Sequence, residues 1–153
     1  MKTALALLCL STLALTAHAE RAVRVTNTEH NDGSWSSKEV DPEKKQTTEM
    51  FYTAARKLNY KIIYQLDDRL QPVSGLYYNK LGKVFQKSTY TLDGADHMIQ
   101  EIVYDARDSL VCTKNYIWGT RYGQAALLEV QVYDRMGRLT KTQKGSASGS
   151  RLR

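Results

Sequence analysis

Apolar and polar residues alternate in short segments along the chain from Asn59 onward. In the clearest segment, Leu128, Val130 and Val132 fall on one side and Glu129 on the other, which is the period of a half-buried strand. The links between such segments are short, as neighbouring antiparallel strands require. The pattern predicts strands at about 60–65, 70–78, 83–92, 98–104, 110–118, 125–133 and 138–144.

A different spacing precedes these strands and predicts a helix from about residue 42 to 58. Asp41-Pro42-Glu43 is typical of a helix start, because the aspartate can cap free amides and proline suits the first helical position. The apolar residues that follow share one helical stripe: Met50, Phe51, Ala54, Ala55 and Leu58. Such a stripe needs a sheet to cover it. We therefore expect an α+β fold, with one N-terminal helix packed on a curved antiparallel β-meander of about six to seven strands.

The two ends of the chain predict segments outside this domain. Met1-Lys2, an Ala- and Leu-rich stretch and Ala17-His18-Ala19 are together typical of a secretory signal peptide. The apolar stretch is too short to cross a bilayer as a helix, so we expect a periplasmic or secreted protein that does not span the membrane. The predicted organisation is a signal peptide at 1–19, an irregular lead-in at 20–40, a single α+β domain at 41–144 and a disordered basic tail at 145–153.

The positive charge of the chain belongs to its C-terminal end. The formal net charge is +6, yet residues 20–134 carry 15 basic and 16 acidic side chains. A nucleic-acid-binding domain concentrates positive charge on a folded face, so we expect no nucleic-acid partner. A cationic tail favours weak, salt-sensitive contact with an anionic surface, although a purely solubilising tail has the same composition.

Only one cysteine, Cys112, remains after removal of the predicted signal peptide. It cannot form an internal disulfide, so the core must hold the fold. Its apolar strand context is typical of a buried small hydrophobe. Pairing between chains, or a reactive thiol, is the alternative interpretation.

A seven-residue unit recurs along the second part of the chain. Each copy reads Tyr, then Asn, Asp or Gln, two variable residues, Gly or Asp, a polar residue and Leu or Val. The copies are Tyr64–Leu70, Tyr78–Val84, Tyr104–Leu110 and Tyr133–Leu139. The unit predicts a hairpin, because an Asx side chain can bond the backbone two residues on and Gly or Asp tolerates a left-handed conformation.

These units resemble the YD repeats of rearrangement-hotspot and teneurin-type proteins, and more loosely the MORN-variant repeats. Tyr133-Asp134-Arg135-Met136-Gly137-Arg138-Leu139 is the best match. In the large YD proteins, dozens of repeats build a shell around a toxin, and about four units cannot build one. The resemblance therefore implies β-hairpins and no particular activity.

Catalytic chemistry has little support in the sequence. Asp93-Gly94-Ala95-Asp96-His97 puts two carboxylates and an imidazole in one turn, which is either a plain polar hairpin turn or part of a metal site with an incomplete ligand set. A small secreted hydrolase would combine His97 with carboxylates near the predicted strand ends: Glu101, Asp105, Asp108 and Glu129. We expect no catalytic residue, no metal and no cofactor.

Tyrosine dominates the aromatic residues, with ten tyrosines against two phenylalanines. Aromatic rings with a polar tip suit sheets and also exposed contact surfaces. Tyr116, Trp118, Arg121 and Tyr122 gather near one predicted hairpin, either as a ligand-binding edge or as cross-strand packing. We expect an exported non-catalytic binding protein of a bacterial-type cell envelope that contacts a protein or glycan partner. The alternatives are an exported inhibitor or immunity protein, or a small secreted hydrolase.

Overall fold

The computed structural model describes residues 22–145 and shows ten β-strands and no helix within that range. The predicted signal peptide and all but the first residue of the predicted tail lie outside the described residues. The strands are β1 (Arg24–Glu29), β2 (Trp35–Asp41), β3 (Gln46–Tyr52), β4 (Leu58–Leu66), β5 (Pro72–Asn79), β6 (Val84–Leu92), β7 (Met98–Asp105), β8 (Leu110–Arg121), β9 (Gln124–Asp134) and β10 (Leu139–Lys144).

All ten strands form one antiparallel sheet in chain order, so the fold is a meander. Within residues 22–145, each strand contacts only the strands before and after it in the sequence. The sheet is therefore a single layer, and β1 and β10 are its two open, solvent-exposed edges. The predicted β-meander is confirmed, but the predicted α+β class is wrong, because the described chain is all-β. The same range contains no helical segment capable of crossing a bilayer.

The predicted helix at 42–58 is a turn, the strand β3 and a second turn. Asp41 does cap a backbone amide, as predicted, but within a single turn and not at the start of a helix. Its Oδ1 accepts a bond from the Lys44 amide at 3.0 Å, and its Oδ2 accepts one from Lys44 Nζ at 2.7 Å. Lys45 then takes a left-handed φ of 49°, which ends the turn and starts β3. Met50 and Phe51 lie on opposite faces of β3. They are adjacent in the sequence because the sheet carries apolar side chains on both faces, not because they share a helical stripe.

The described part of the predicted irregular lead-in at 20–40, from residue 22 onward, also belongs to the sheet. It contains β1 and most of β2, whose Ser- and Thr-rich sequences lack a strong apolar alternation. β2 is held by β3, with Trp35 opposite Tyr52 and Ser37 opposite Met50. The remaining strands, β4 to β10, lie close to their predicted positions.

One type of turn joins most of the neighbouring strands. The first residue donates its amide to the carbonyl of the fifth residue, and its own carbonyl accepts from the amide of the fourth. Turns with both bonds begin at His30, Thr53, Asp67, Asn79, Asp93, Asp105 and Asp134. The turn at Asp93 includes the acidic segment 93–97, which the sequence left open between a polar hairpin and a metal site.

The turn at Asn79 shows how the sequence specifies this geometry. Asn79 Oδ1 accepts bonds from the Leu81 amide at 2.9 Å and the Lys83 amide at 3.1 Å, while Gly82 adopts a left-handed φ of 73°. The same paired acceptance is made by Asp67, Asp93, Asp105 and Asp134. In the first predicted unit it is Asp67, not Gln65, that fills this position, so the repeat there is displaced from the predicted alignment.

The meander places alternate turns at opposite ends of the sheet. We call one the amino-turn end, because it holds the first turn of the described chain, and the other the hairpin-tip end. The amino-turn end holds turns 30–34, 53–57, 79–83, 105–109 and 134–138. The hairpin-tip end holds turns 42–45, 67–71, 93–97 and 122–123.

One face of the sheet carries most of the buried groups, and we call it the tyrosine face for Tyr64, Tyr77, Tyr90 and Tyr116. The cross-strand register puts Ile62, Ser88 and Val103 on this face, and all three are buried. Cys112 is opposite Val103 and is half-buried, and burial raises the pKa of its thiol. Long aromatic side chains lying over the sheet therefore take the place of a second layer.

A glycine substitution tests the turn geometry without changing packing. Gly82→Ala should destabilise the chain by about 1–2 kcal/mol, because a left-handed conformation is unfavourable for a residue with a Cβ. An added Cβ meets nothing within 4 Å at Gly82 or at Gly94, and only Gly82 has a positive φ. Gly94→Ala is thus the matched control and should change stability by less than about 0.5 kcal/mol. Equal urea midpoints for the two variants would contradict this account.

The turn aspartates predict loss of stability in acid. The amides of Ser109 and Arg107 donate to Asp105 and hold the pKa of its carboxyl below its ordinary value. Because the unfolded chain then binds the proton more readily, this stabilisation is present above the unfolded pKa of about 3.9 and is lost as pH falls through the folded pKa. Urea unfolding at a series of pH values should show a shallower acid loss for Asp105→Asn, which keeps both acceptor bonds.

The reciprocal change is the control for that experiment. Asn79→Asp adds a titrating acceptor at the same turn position, so its urea midpoint should fall more steeply in acid than that of the parent chain. If all three proteins lose stability in parallel, the carboxylate at this position has the same pKa in the folded and unfolded chain.

Candidate functional site

Tyr116, the first of the predicted binding residues, is part of a buried polar network around Glu101. Glu101 is 5% exposed and lies opposite Lys114 in the sheet register. One carboxylate oxygen accepts a bond from Ser88 Oγ at 2.8 Å; the other accepts from Lys114 Nζ at 2.9 Å and from the Tyr116 hydroxyl at 3.0 Å. Burial raises the pKa of Tyr116, so its hydroxyl keeps the proton that it donates. Tyr116 is therefore a half-buried residue of the tyrosine face, and its hydroxyl stabilises a buried carboxylate.

Three further tyrosines pack beside this network. The Tyr77 and Tyr90 hydroxyls are 2.9 Å apart and hydrogen-bonded, and Tyr64 is tilted against Tyr90 at 6.1 Å between ring centroids. Gly75 makes the room, because a Cβ there would lie 2.8 Å from the Tyr90 hydroxyl oxygen. Burial raises the pKa of all three tyrosines. The tyrosine face is thus a packed structural layer and not an open cleft.

Trp118 is also tied into the sheet. Its indole Nε1 donates to the Met98 carbonyl at 2.8 Å, and its ring stacks on the His97 imidazole at 4.5 Å between centroids. His97 Nδ1 in turn lies 3.1 Å from Asp93 Oδ2. This arrangement joins the β8 strand to the turn at 93–97, so the Trp118 side chain serves packing.

Arg121 and Tyr122 are at the tip of the β8–β9 hairpin, at the hairpin-tip end. Arg121 and Gln124 are opposite each other, and Tyr122-Gly123 forms the link between them. Tyr122 has a φ of 52° and Gly123 a φ of 76°, which are the values of a type I′ turn. The Tyr122 side chain is fully exposed. The predicted set is therefore divided between two anchored side chains, Tyr116 and Trp118, and two projecting ones.

The carboxylates of the alternative hydrolase do not surround His97. Asp105 and Asp108 belong to the turn 105–109 at the amino-turn end, whereas His97 lies at the hairpin-tip end. Glu101 is occupied by its three donors, and Glu129 accepts a bond from Gln131 at 2.7 Å. No group of three or more His, Cys, Asp or Glu able to hold a metal occurs among residues 22–145. The geometry gives the hydrolase alternative no assembled site.

A groove of about 420 Å³ lies at the amino-turn end, beside β2, β3 and β4. Two stacked aromatic pairs contribute to its lining: Trp35 on Tyr52 at 4.1 Å and Phe51 on Tyr60 at 4.3 Å between centroids. The sequence interpretation missed this feature, because it assigned Phe51 to a helix and Trp35 to an irregular segment. The signal was present as aromatic residues next to the polar turns 30–34 and 53–57.

Comparisons with known proteins identify no relative. No family model matches the chain, and no curated protein matches it. Among solved structures, it is similar to a crystal structure of an S. aureus TarM mutant in complex with fondaparinux, alpha-GlcNAc-glycerol and UDP. That match has 13% sequence identity and a TM-score of 0.31, and covers 79% of this chain and 21% of the other. So low a TM-score identifies neither a shared fold nor a shared function.

The network at Glu101 predicts a stability role for Tyr116. Tyr116→Phe should lower the free energy of unfolding by about 1–2 kcal/mol, because the change removes a donor to a buried carboxylate. The matched control is Tyr104→Phe, since within residues 22–145 the Tyr104 hydroxyl makes no hydrogen bond. Urea unfolding measures both changes. Equal effects would show that the bond from Tyr116 contributes nothing to stability.

Proposed function

We propose that this chain is an exported, non-catalytic binding protein of the cell envelope that holds a protein partner at the tip of the β8–β9 hairpin. The observation that supports this most is the position of Tyr122. A bulky aromatic side chain is fully exposed there on a residue with a left-handed backbone. Neither burial nor backbone preference explains a tyrosine at that position.

The left-handed backbone of Tyr122 also favours a binding role for its side chain. The first central position of a type I′ turn favours Asn, Asp or Gly, and a left-handed conformation is an outlier for a large residue. Arg56 and Leu70 are also left-handed, in the turns 53–57 and 67–71, but Tyr122 combines this conformation with a fully exposed aromatic ring. Such outliers are concentrated at binding and switch sites, where another requirement selects the side chain. Contact with a partner is such a requirement.

The surroundings of the tip suit a protein partner. Tyrosine and arginine are enriched among the residues that carry binding energy in protein interfaces, and Arg121 adjoins Tyr122. Trp118, anchored by His97 and Met98, supports β8 just before the tip. A rigid hairpin loses little conformational entropy on binding. The basic residues of the C-terminal end would add weak electrostatic attraction to an anionic surface.

An exported inhibitor or immunity protein is the second candidate, and it uses the same tip. A projecting hairpin can enter the cleft of an enzyme, so the same exposed Tyr122 favours this candidate too. The two candidates differ in the captured partner. A single enzyme that loses activity in a one-to-one complex identifies an inhibitor, whereas a partner without enzyme activity identifies a binding protein.

The experiment is capture of partners by the mature chain from a native envelope extract. Tyr122→Asn should reduce capture at least tenfold while leaving the chain as stable as before or more so, because asparagine suits the type I′ position. Arg121→Ala should reduce capture without changing stability. Leu81→Ala, at the exposed turn 79–83 of the opposite end, is the control and should leave capture intact. Full capture by the Tyr122→Asn chain would refute a contact at this tip.

A further inference from the structure

We propose that the groove at the amino-turn end binds a neutral oligosaccharide. This goes beyond the protein contact proposed for the β8–β9 hairpin, because the groove lies at the other end of the sheet and shares no residue with that tip. Its volume of about 420 Å³ falls within the range of small-ligand sites.

The aromatic lining supplies the surface that a sugar ring needs. The rings of Trp35 and Tyr52 are nearly parallel and stacked, with an interplanar angle of 4°, and those of Phe51 and Tyr60 are stacked at 16°. A pyranose ring presents a face of C–H groups, which are attracted to the negative face of an aromatic ring. Phe51 and Tyr52 are consecutive in β3, so the two pairs lie on opposite faces of the sheet. The Trp35–Tyr52 pair, which follows the turn 30–34, is therefore the one that a sugar in this groove would stack on.

The polar lining supplies partners for sugar hydroxyls. Asp32 and Asn59 belong to the rim, and both are exposed. Asp32 Oδ1 already accepts bonds from the Ser34 amide at 3.0 Å and the Ser34 hydroxyl at 2.6 Å, which fix the orientation of the carboxylate. Within the described chain, Asp32 Oδ2 accepts no hydrogen bond, so it remains available to a donor hydroxyl. A charge-assisted bond of this type is roughly twice as strong as a neutral one.

The charge of the groove specifies a neutral sugar. None of the residues that line it is Lys or Arg, and Asp32 is a carboxylate because its bonds from Ser34 lower its pKa. A uronic, sulfated or phosphorylated sugar would bring negative charge beside that carboxylate, and His30 is the one lining side chain able to carry a positive charge. Uncharged oligosaccharides avoid this repulsion.

Trp35, which lines the groove, also has an unpaired indole N–H. Its Nε1 is buried and is the one buried side-chain nitrogen or oxygen in the described part of the chain without a hydrogen-bond partner. Leaving such a donor unpaired is unfavourable by about 1–3 kcal/mol. A small displacement of the ring toward a sugar oxygen would satisfy it, whereas Trp118 Nε1 already has the Met98 carbonyl.

The two indole N–H groups make the test direct. The mature chain, labelled with ¹⁵N, is titrated with a chitooligosaccharide, a cello-oligosaccharide, a heparin-derived oligosaccharide and a proline-rich peptide. The two described tryptophans give two indole resonances, and Trp35→Phe assigns them. We expect a saturable shift of the Trp35 resonance with at least one of the two neutral oligosaccharides. The Trp118 resonance should stay in place.

Two variants separate binding from folding. Asp32→Asn keeps an oxygen to accept from Ser34 but removes the charge, and should weaken binding of the neutral oligosaccharide about tenfold with no loss of stability. Trp35→Phe keeps a stacked ring on Tyr52 and removes the N–H, and should weaken binding at least threefold. Tyr104→Phe is the control and should bind as the parent chain does.

Three outcomes would overturn the proposal. They are no Trp35 shift with either neutral oligosaccharide, a shift with the heparin-derived oligosaccharide or the peptide alone, and unchanged sugar binding by the Asp32→Asn chain. Capture of a protein through Tyr122 is measured separately. Failure at the groove therefore leaves the hairpin contact standing, and failure of the hairpin contact leaves the groove standing.

Discussion

The repeated turn is the constraint on which the rest of this structure depends. One Asx oxygen accepts two amides, and the fourth residue is left-handed, as at Asn79 and Gly82. In the five hairpins that have it, this geometry sets where the returning strand starts, and so fixes its register. In a single layer no opposing sheet or helix can correct a slipped strand. The turns must therefore specify the register that a packed second layer would otherwise enforce.

The absence of a second layer among the described strands also determines how the sheet is stabilised. In residues 22–145 the buried apolar side chains are few, namely Ile62, Leu66, Met98 and Val103. Cross-strand neighbours supply the remaining contacts, from the cation–π contact of Lys61 with Tyr78 to the donors around Glu101. Long side chains with polar tips suit this task, because the ring or stem covers the sheet while the tip reaches a partner or water. The architecture thus explains the excess of tyrosine over phenylalanine.

The same architecture explains which features were predictable from sequence. β4 to β10 were predictable because a tyrosine, an Asx residue and a left-handed position mark most of their turns. β3 was not, because Met50 and Phe51 serve opposite faces, and adjacent apolar residues then imitate a helical stripe. Asp41 also favoured the wrong prediction of a helix, because its bond to the Lys44 amide is the bond that a helix cap makes. A single turn and a helix start differ only in the backbone of the next residues, and here Lys45 takes a left-handed conformation.

The candidate site was predictable only in part, for a related reason. The prediction grouped Tyr116, Trp118, Arg121 and Tyr122 because they are close in sequence. In the structure the Tyr116 hydroxyl and the Trp118 indole donate hydrogen bonds within the sheet. Only the residues at the tip of the hairpin project from it. A one-layer sheet has no interior in which to build a cleft. Its recognition groups must lie on its faces or its ends, and the tyrosine face is already packed. Aromatic side chains next to turns occur at both ends of the sheet. The projecting hairpin is at the hairpin-tip end and the aromatic groove is at the amino-turn end, so the two candidate sites are separate.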